Sequence, residues 1–185
     1  SLPPTPNAIA NGEKTFVDTT NMSVVPFTQN GRTLVPVRFI SESFGATVGW
    51  DDATQAVTVD LQDTNIKLQI GSNEMIVNGK TVTLDVPAQT YNSRTLIPLR
   101  ALVEALGKKV LWDDRGLIVI SDSAVEYTEA EKANIISLLS ERVLLNGAEM
   151  KSFTTDKTDY TMLTDGNIPT VTLPNIPAAL LIRSI

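Results

Sequence analysis

The strongest constraint on this chain is an internal repeat. The stretch RTLVPVRFISESFGATVGWDD, from Arg32 to Asp52, returns sixty-two residues later as RTLIPLRALVEALGKKVLWDD, from Arg94 to Asp114. Eleven of the twenty-one paired positions are identical. A repeat of this kind predicts that one supersecondary unit occurs twice and that the two copies form a pseudo-symmetric pair.

Each copy carries the pattern of one short helix. Apolar residues recur at helical spacing in the second copy and in matching places of the first: Leu99, Leu102, Val103 and Leu106, then Val37, Ile40 and Phe44. Pro36 and Pro98 fall where a first helical turn tolerates proline. Gly45 and Gly107 follow the last apolar residue and suit a left-handed helix stop. Each helix spans about ten residues, too few to be stable alone, so we expect it to lie on a sheet.

The segments around the helices have the composition of strands. Short stretches rich in Val, Ile, Thr and Leu occur at Thr15–Asp18, Ala56–Leu61, Ile66–Ile70 and Met75–Val77. Asn30-Gly31 and Asn78-Gly79 are typical of tight hairpin turns. The predicted fold class is therefore α+β: antiparallel twisted β-sheets, each packed on a short α-helix and internally duplicated, followed by a linker helix and a β-rich C-terminal segment.

The predicted domain organisation has four parts. Residues 1–13 contain three prolines and are interpreted as a leader or linker. Residues 14–122 form the duplicated domain, with repeats of about 14–62 and 63–122. Residues 123–147 form a linker helix, because Thr128 and Glu131 have capping-box spacing and the helical pattern runs to about Leu145. Residues 148–185 form a β-rich segment that is shorter than a complete β-sandwich module.

Composition excludes several functional classes. The chain has neither cysteine nor histidine, which excludes zinc-thiolate sites, a thiol nucleophile, a Ser-His-Asp triad and imidazole metal sites. The formal net charge is −6, whereas a nucleic-acid-binding domain normally presents a basic face. No apolar run approaches the roughly 18 residues that a membrane span needs. We predict no cofactor, no nucleic-acid partner and no membrane span.

The motifs NGRTLVPVRFISESFGATVGWDDATQAVTV and NSRTLIPLRALVEALGKKVLWDD resemble the copper amine oxidase N-terminal-like domain family. The resemblance covers roughly Thr15 to Ser121, and Ser93 departs from it by replacing glycine before Arg94. It implies a stalk domain, a twisted antiparallel sheet wrapped on a helix, that does not carry the copper chemistry. It also implies an exported or cell-surface protein of Gram-positive bacteria, often beside polysaccharide-acting enzymes. The segment LLNGAEMKSFTTDKTDYTMLTDGNIPTVT more weakly resembles the opening of cadherin-like β-sandwich modules.

Four arginines are the candidate ligand-binding residues: Arg32, Arg38, Arg94 and Arg100. Two of them precede a glutamate, Glu42 or Glu104, by four positions on the predicted helices, which is the spacing of a helix-surface ion pair. The other two stand at strand entries, where a guanidinium can hold loop carbonyls. The alternative hypothesis is that these charges bind an anionic sugar. We favour the structural interpretation because residues spaced this regularly usually frame a fold.

The repeat hallmarks Trp50, Trp112 and their Asp-Asp pairs also have two interpretations. Asp51-Asp52 and Asp113-Asp114 suit Asx turns better than catalysis, because adjacent strand residues point to opposite faces. No D-x-D-x-D-G loop accompanies them, so calcium is not favoured. The tryptophans share a period of two with Val48 and Val110, which predicts burial in the core rather than a sugar-stacking platform. We predict no catalytic residue and no metal ligand.

These patterns predict a non-catalytic extracellular stalk or spacer that presents a neighbouring module at the bacterial cell surface. The alternative is a carbohydrate- or cell-wall-binding accessory module of a polysaccharide-acting enzyme. A hydrolase or lyase fragment is a third and less favoured hypothesis. Oxidase activity is excluded because the chain has no histidine to bind copper. The predicted partners are cell-wall or extracellular polysaccharide, or a neighbouring domain of the same protein, and the predicted location is extracellular or cell-wall associated.

Overall fold

The computed structural model describes residues 6–11, 13–21, 23–140, 159–161, 170–172 and 180–183. In chain order the elements are β1 (Asn7–Ala10), β2 (Glu13–Phe16), β3 (Phe27–Gln29), β4 (Arg32–Pro36), α1 (Val37–Ser43), β5 (Thr47–Asp51), β6 (Ala56–Leu61), β7 (Thr64–Gln69), β8 (Glu74–Val77), β9 (Lys80–Thr83), β10 (Gln89–Tyr91), β11 (Arg94–Pro98), α2 (Leu99–Ala105), β12 (Lys109–Trp112), β13 (Leu117–Ser121), α3 (Glu129–Ser140), β14 (Asp159–Thr161), β15 (Thr170–Thr172) and β16 (Leu180–Arg183). Within the described residues short antiparallel strands dominate, with three helices, and this confirms the α+β class.

The two copies of the repeat meet in a four-stranded antiparallel sheet of order β10-β11-β4-β3, the central sheet. Val35 lies opposite Ile97, which is its own counterpart in the repeat. On either side of this pair, Leu34 lies opposite Pro98 and Pro36 lies opposite Leu96. Each of these two pairs becomes the other when every residue is replaced by its repeat counterpart. A pseudo-two-fold axis therefore passes between Val35 and Ile97. The repeat in the sequence becomes a rotational relation in the fold.

Two five-stranded antiparallel sheets have the same internal arrangement. The first has the order β5-β6-β7-β8-β9 and the second the order β12-β13-β16-β1-β2. Trp50 lies opposite Val57 in the first sheet, as Trp112 lies opposite Ile118 in the second. The shared order and register show that the topology is duplicated. The remaining pair, β14 and β15, forms a separate two-stranded sheet.

One apolar core joins the two five-stranded sheets, the central sheet and the two repeat helices. It contains buried residues from both five-stranded sheets, from the central sheet and from the apolar faces of α1 and α2, including Ile40, Ile66, Ile97, Leu102 and Ile182, all fully buried. A second cluster packs α3 on the outer face of the second sheet, through residues such as Ile135 and Leu139. Because the main core is continuous across the pseudo-axis, we expect the two copies to unfold together.

The two repeat helices are shorter than the sequence pattern indicates. Each has seven residues rather than about ten, because Pro36 and Pro98 end the preceding strand and lie just before the helix instead of inside its first turn. Gly45 and Gly107 adopt φ values of +87° and +72°, which confirms the predicted left-handed stops. The strand-to-helix change therefore occurs at the proline, and the helix ends where glycine permits positive φ.

The third helix has the predicted N-terminal cap. The Thr128 N–H donates to Glu131 Oε2 at 2.9 Å, and the Glu131 N–H donates to Thr128 Oγ1 at 3.2 Å, a complete capping box. The sequence predicts this helix to about Leu145, and residues 141–147 lie outside the described part of the chain. None of the helices described is long and apolar enough to span a membrane.

The structure corrects two of the predicted boundaries. Asn7–Ala10, which lies in the segment interpreted as a leader, forms β1 inside the second sheet. Leu180–Arg183, which lies in the predicted C-terminal segment 148–185, forms β16 between β13 and β1 of that sheet. The composition of each segment gave no sign of these strands, because a strand of four residues is too short to show a clear period-two pattern. The rest of the C-terminal segment, with its cadherin-like resemblance, stays a prediction, since most of it lies outside the described residues.

Candidate functional site

Two surface grooves occupy matching places in the two copies. The larger has a volume of about 980 Å³ and is named the Trp50 groove; its charged and aromatic residues include Asp18, Arg38, Glu42, Trp50, Asp52 and Arg94. The smaller has a volume of about 470 Å³ and is named the Trp112 groove; its lining includes Arg32, Asp85, Arg100, Glu104 and Trp112. Each groove takes a tryptophan, a helix arginine and a helix glutamate from one copy and a strand arginine from the other. The pseudo-symmetry therefore extends to the surface.

The tryptophans correct the prediction that they fill the core. Trp50 is 44% exposed and Trp112 is 42% exposed. Their strand partners Val57 and Ile118 are buried in the main core, so the period-two pattern identified the correct face of the sheet. Both tryptophans stand on β5 and β12, which are edge strands, and near the ends of those strands the core no longer covers a large ring. Each ring is half-buried and offers a free surface to its groove.

The helix arginines differ between the two copies. Arg38 Nη1 donates to Glu42 Oε1 at 3.0 Å and to the Val48 carbonyl at 3.3 Å, which is the ion pair expected from the sequence. Arg100 is the counterpart of Arg38 in the second copy. Its guanidinium lies 5.9 Å from the centroid of the Trp112 ring instead of pairing with Glu104. Trp112 is thus partly covered by its own arginine. The Trp50 groove is the larger of the two.

The strand arginines join the two copies through reciprocal ion pairs. Arg94 donates to Asp18 and, at 2.8 Å, to Thr20 Oγ1. Arg32 Nε donates to Asp85 Oδ2 at 2.7 Å. Burial alone raises the pKa of Asp18, but the hydrogen bonds from Arg94 and Thr20 outweigh burial and hold this pKa below its ordinary value. These arginines therefore act across the pseudo-axis through carboxylates. Arg94 Nη1 also donates to the Ser93 carbonyl at 3.2 Å, the loop contact expected from the sequence.

Neither carboxylate partner was predicted from the sequence, although the chain contains a signal for both. Asp18 follows Asn11 by seven residues, and Asp85 follows Asn78 by the same number. Asn11 and Asn78 both have φ of +50°, in the turns of the hairpins β1-β2 and β8-β9. A buried residue, Val17 or Leu84, precedes each aspartate. The repeat therefore begins before its obvious motif, at the hairpin that delivers each aspartate.

The first aspartate of each Asp-Asp pair has the structural role that the sequence predicts. Asp51 Oδ1 accepts from the Ala53 N–H at 3.0 Å, and Asp113 Oδ1 accepts from the Arg115 N–H at 3.0 Å, each closing an Asx turn. Asp52 Oδ1 also accepts a long hydrogen bond, 3.4 Å, from Trp50 Nε1. The second aspartate of the first copy therefore helps to orient the exposed ring.

A charged cluster outside the grooves fixes α3 to the β12–β13 turn. Arg115 donates through Nε to Asp113 Oδ1 at 2.7 Å and through Nη2 to Glu129 Oε2 at 3.1 Å. Lys132 Nζ lies 2.8 Å from Glu129 Oε1 and 3.6 Å from Asp113 Oδ2. The hydrogen bond from Arg115, opposed only by burial, holds the pKa of Asp113 well below its ordinary value. The cluster is therefore in its ionised form at neutral pH.

Stability is expected to fall in acid partly through this cluster. The pKa of Asp113 is lower in the folded state than its unfolded value of 3.8. The carboxylate therefore stabilises the fold at pH values above 3.8, and this stabilisation is lost as the pH falls below 3.8. In urea unfolding at a series of pH values, Asp113→Asn should be less stable than the parent at pH 7, and the difference should shrink below pH 4. Asp114→Asn, which changes the neighbouring exposed aspartate, is the control. A constant difference across this range would contradict the assignment.

The grooves combine an exposed aromatic ring with paired polar groups. Ring faces bind the apolar face of a ligand, and the guanidinium and carboxylate groups supply donors and acceptors at its edge. The Trp50 groove contains two guanidinium groups and three carboxylates, and the Trp112 groove contains two of each. Neither groove is net cationic. This arrangement suits non-covalent binding of a neutral ligand that has both a hydroxylated edge and an apolar face.

Comparison with known protein families finds a match over the repeated part of the chain. The sequence model described as copper amine oxidase N-terminal domain matches residues 9–121. The matched segment extends from β1 to the end of β13 and includes both helices α1 and α2. It begins before the segment recognised by motif, within the hairpin that precedes Asp18. The N-terminal domain of this family is non-catalytic.

Proposed function

The chain belongs to the copper amine oxidase N-terminal domain family, and we propose that it is a non-catalytic carbohydrate-binding module that holds a neighbouring module on polysaccharide at a bacterial cell surface. The observation that carries this proposal is the exposure of Trp50 and Trp112 in matching grooves. A tryptophan that is half-exposed at the same place in both copies provides two aromatic platforms. Sugar rings stack on such platforms through their apolar C–H faces.

The charge of the grooves favours a neutral polysaccharide over an anionic one. Arg38 and Arg94 in the Trp50 groove already bind Glu42 and Asp18. An anionic sugar would have to compete with those carboxylates and would also meet Asp52. Neutral hydroxyl groups can instead share hydrogen bonds with groups that remain ion-paired. The sequence hypothesis of an anionic ligand is therefore replaced by that of a neutral one.

An inert stalk or spacer at the cell surface is the second candidate function. The continuous core across the pseudo-axis supports it, because such a unit is stiff. The topology, however, does not favour a spacer that separates its neighbours by a long distance. β1 and β16 are antiparallel neighbours, with Ala8 opposite Ile182, so the chain enters β1 and leaves β16 at the same end of the sheet. A spacer gains reach only when its two ends lie far apart, and this arrangement favours attachment over spacing.

The binding proposal predicts that Trp50→Ala lowers affinity for polysaccharide by about tenfold or more, equivalent to about 1.4 kcal/mol, through loss of the stacking face. Trp112→Ala should have a smaller effect, since Arg100 already lies over that ring. The measurement is titration of the parent and each variant with soluble neutral polysaccharides, such as xylan and mixed-linkage β-glucan, by calorimetry or affinity electrophoresis. Polygalacturonate serves as the anionic comparison.

Tyr91→Ala is the matched control, because Tyr91 is an exposed aromatic residue, 39% accessible, outside the lining of both grooves. It should leave affinity unchanged. An equal loss in Trp50→Ala and Tyr91→Ala would refute the Trp50 groove as the binding site. Failure of the parent to bind any polysaccharide would refute the carbohydrate proposal and favour the stalk.

A further inference from the structure

The Trp112 groove repeats the Trp50 groove residue by residue. Every described residue that lines the Trp112 groove has its repeat counterpart in the lining of the Trp50 groove. The identical counterparts include the tryptophan, the helix arginine and glutamate, and the strand arginine with its aspartate. Within the described residues the two linings share no member, and the exposed fractions of Trp50 and Trp112 are nearly equal. The molecule therefore carries two separate copies of one groove.

The two grooves lie toward opposite ends of the strand pair β4–β11. Arg32, which lines the Trp112 groove, and Arg94, which lines the Trp50 groove, are the first residues of these antiparallel strands. Pro36, four residues after Arg32, lies opposite Leu96, two residues after Arg94. The two arginines are therefore six residues apart along the strand direction, which corresponds to about 20 Å of extended strand. The grooves are distinct sites rather than two ends of one short cleft.

The pseudo-two-fold relation prevents one straight polysaccharide chain from fitting both grooves in the same way. A rotation of 180° reverses every direction perpendicular to its axis. A polysaccharide has a reducing and a non-reducing end, so a straight chain perpendicular to the axis that fits one groove would meet the other groove backwards. A chain parallel to the axis would keep its direction but would miss the second groove, which is displaced sideways. Each groove therefore requires its own chain segment.

We propose that the module binds two polysaccharide segments at once, one in each groove, and thereby bridges neighbouring chains of a neutral polysaccharide. This proposal rests on the carbohydrate-binding function proposed above and adds the number and arrangement of its sites. Where chains are densely packed, binding in one groove raises the local concentration of polysaccharide near the other. The smaller Trp112 groove is then filled after the Trp50 groove has attached the module to the surface.

A bridging assay with the full chain tests the proposal. Protein is bound to beads that carry xylan or mixed-linkage β-glucan, the beads are washed, and a fluorescently labelled soluble form of the same polysaccharide is added. The parent should capture the labelled chain. Trp112→Ala should still bind the beads through the Trp50 groove but should lose the capture, because each module then holds one chain. Tyr91→Ala, outside both linings, should capture as much labelled chain as the parent.

Calorimetric titration with short oligosaccharides of the same polysaccharides counts the sites and separates bridging by one module from bridging by aggregates. The parent should bind two oligosaccharides per chain, and Trp50→Ala and Trp112→Ala one each. A parent that binds the beads without capturing labelled chain overturns the bridging proposal and leaves the proposed function in place. Undiminished capture by Trp112→Ala, or one site per parent chain, also overturns it. A parent that does not bind the beads refutes the carbohydrate-binding function itself, and bridging with it.

Discussion

Ile182→Asp is expected to lower the free energy of unfolding by more than about 4 kcal/mol, a large fraction of the stability of a typical domain. Ile182 is fully buried and contributes to the main core from the middle strand of the second sheet. A carboxylate there either remains charged in an apolar environment or takes up a proton, and both cost stability. β16 also joins two hairpins, so its loss would separate β12–β13 from β1–β2.

The effect should be graded with the amount of apolar surface removed. Ile182→Val is expected to cost about 0.5–1.5 kcal/mol and Ile182→Ala about 2–5 kcal/mol. The measurement is urea unfolding followed by circular dichroism, with the midpoint and slope compared with the parent. Ile76→Asp is the control, because it places the same carboxylate on a strand at a residue that is 40% exposed, and it should change stability by no more than about 0.5 kcal/mol. An unchanged midpoint for Ile182→Asp would exclude β16 from the folded domain.

The second large effect is expected at the pseudo-two-fold axis. Ile97→Ala should destabilise the protein by about 2–5 kcal/mol, because it leaves a cavity in a fully buried part of the core. Ile97 lies opposite Val35, its repeat counterpart, and both belong to the one core that spans the two copies. The loss should therefore appear in a single cooperative unfolding transition rather than in one half of the molecule.

Two measurements check this cooperativity. The exposed tryptophans lie one in each copy, so unfolding of the Trp50→Phe and Trp112→Phe variants, followed by fluorescence, reports on each copy separately. With Ile97→Ala added, both midpoints should shift to lower urea by the same amount. Ile76→Ala, at an exposed residue, should leave both midpoints in place. Two transitions, with only one moved by Ile97→Ala, would indicate that the copies fold as independent domains.

Local patterns predicted those features that depend on local physics. The Leu99, Leu102 and Val103 stripe identified the buried face of α2. The glycines after each repeat helix marked its end because positive φ carries little steric cost there. The capping box at Thr128 and the Asx turns after each tryptophan also followed from hydrogen bonds between residues two or three positions apart. None of these features requires knowledge of distant neighbours.

The tryptophans show where such patterns stop being sufficient. The period-two pattern of the strand placed Trp50 on the same face as Val48. This is also the face of Val57, on the core side of the sheet. Burial depends in addition on the place of the strand in the sheet, and β5 and β12 are edge strands. The arginine partners were missed for a related reason, because Asp18 and Asp85 each reach the strand arginine of the other copy.

The sequence by itself determined the repeating unit, its helices, its turns and the α+β class, because these depend on side-chain periodicity and on the conformational preferences of Gly, Pro, Asn and Asp. Only the tertiary structure decided that the two copies pair about Val35 and Ile97, that their grooves combine residues of both copies, and that β16 completes the second sheet. Those features depend on which strand edges and apolar faces remain to be covered after the local units form. β16 is a strand of four residues, separated from β13 by fifty-eight residues. Its place is decided by the strand edges and apolar faces that it covers, and no local pattern specifies these.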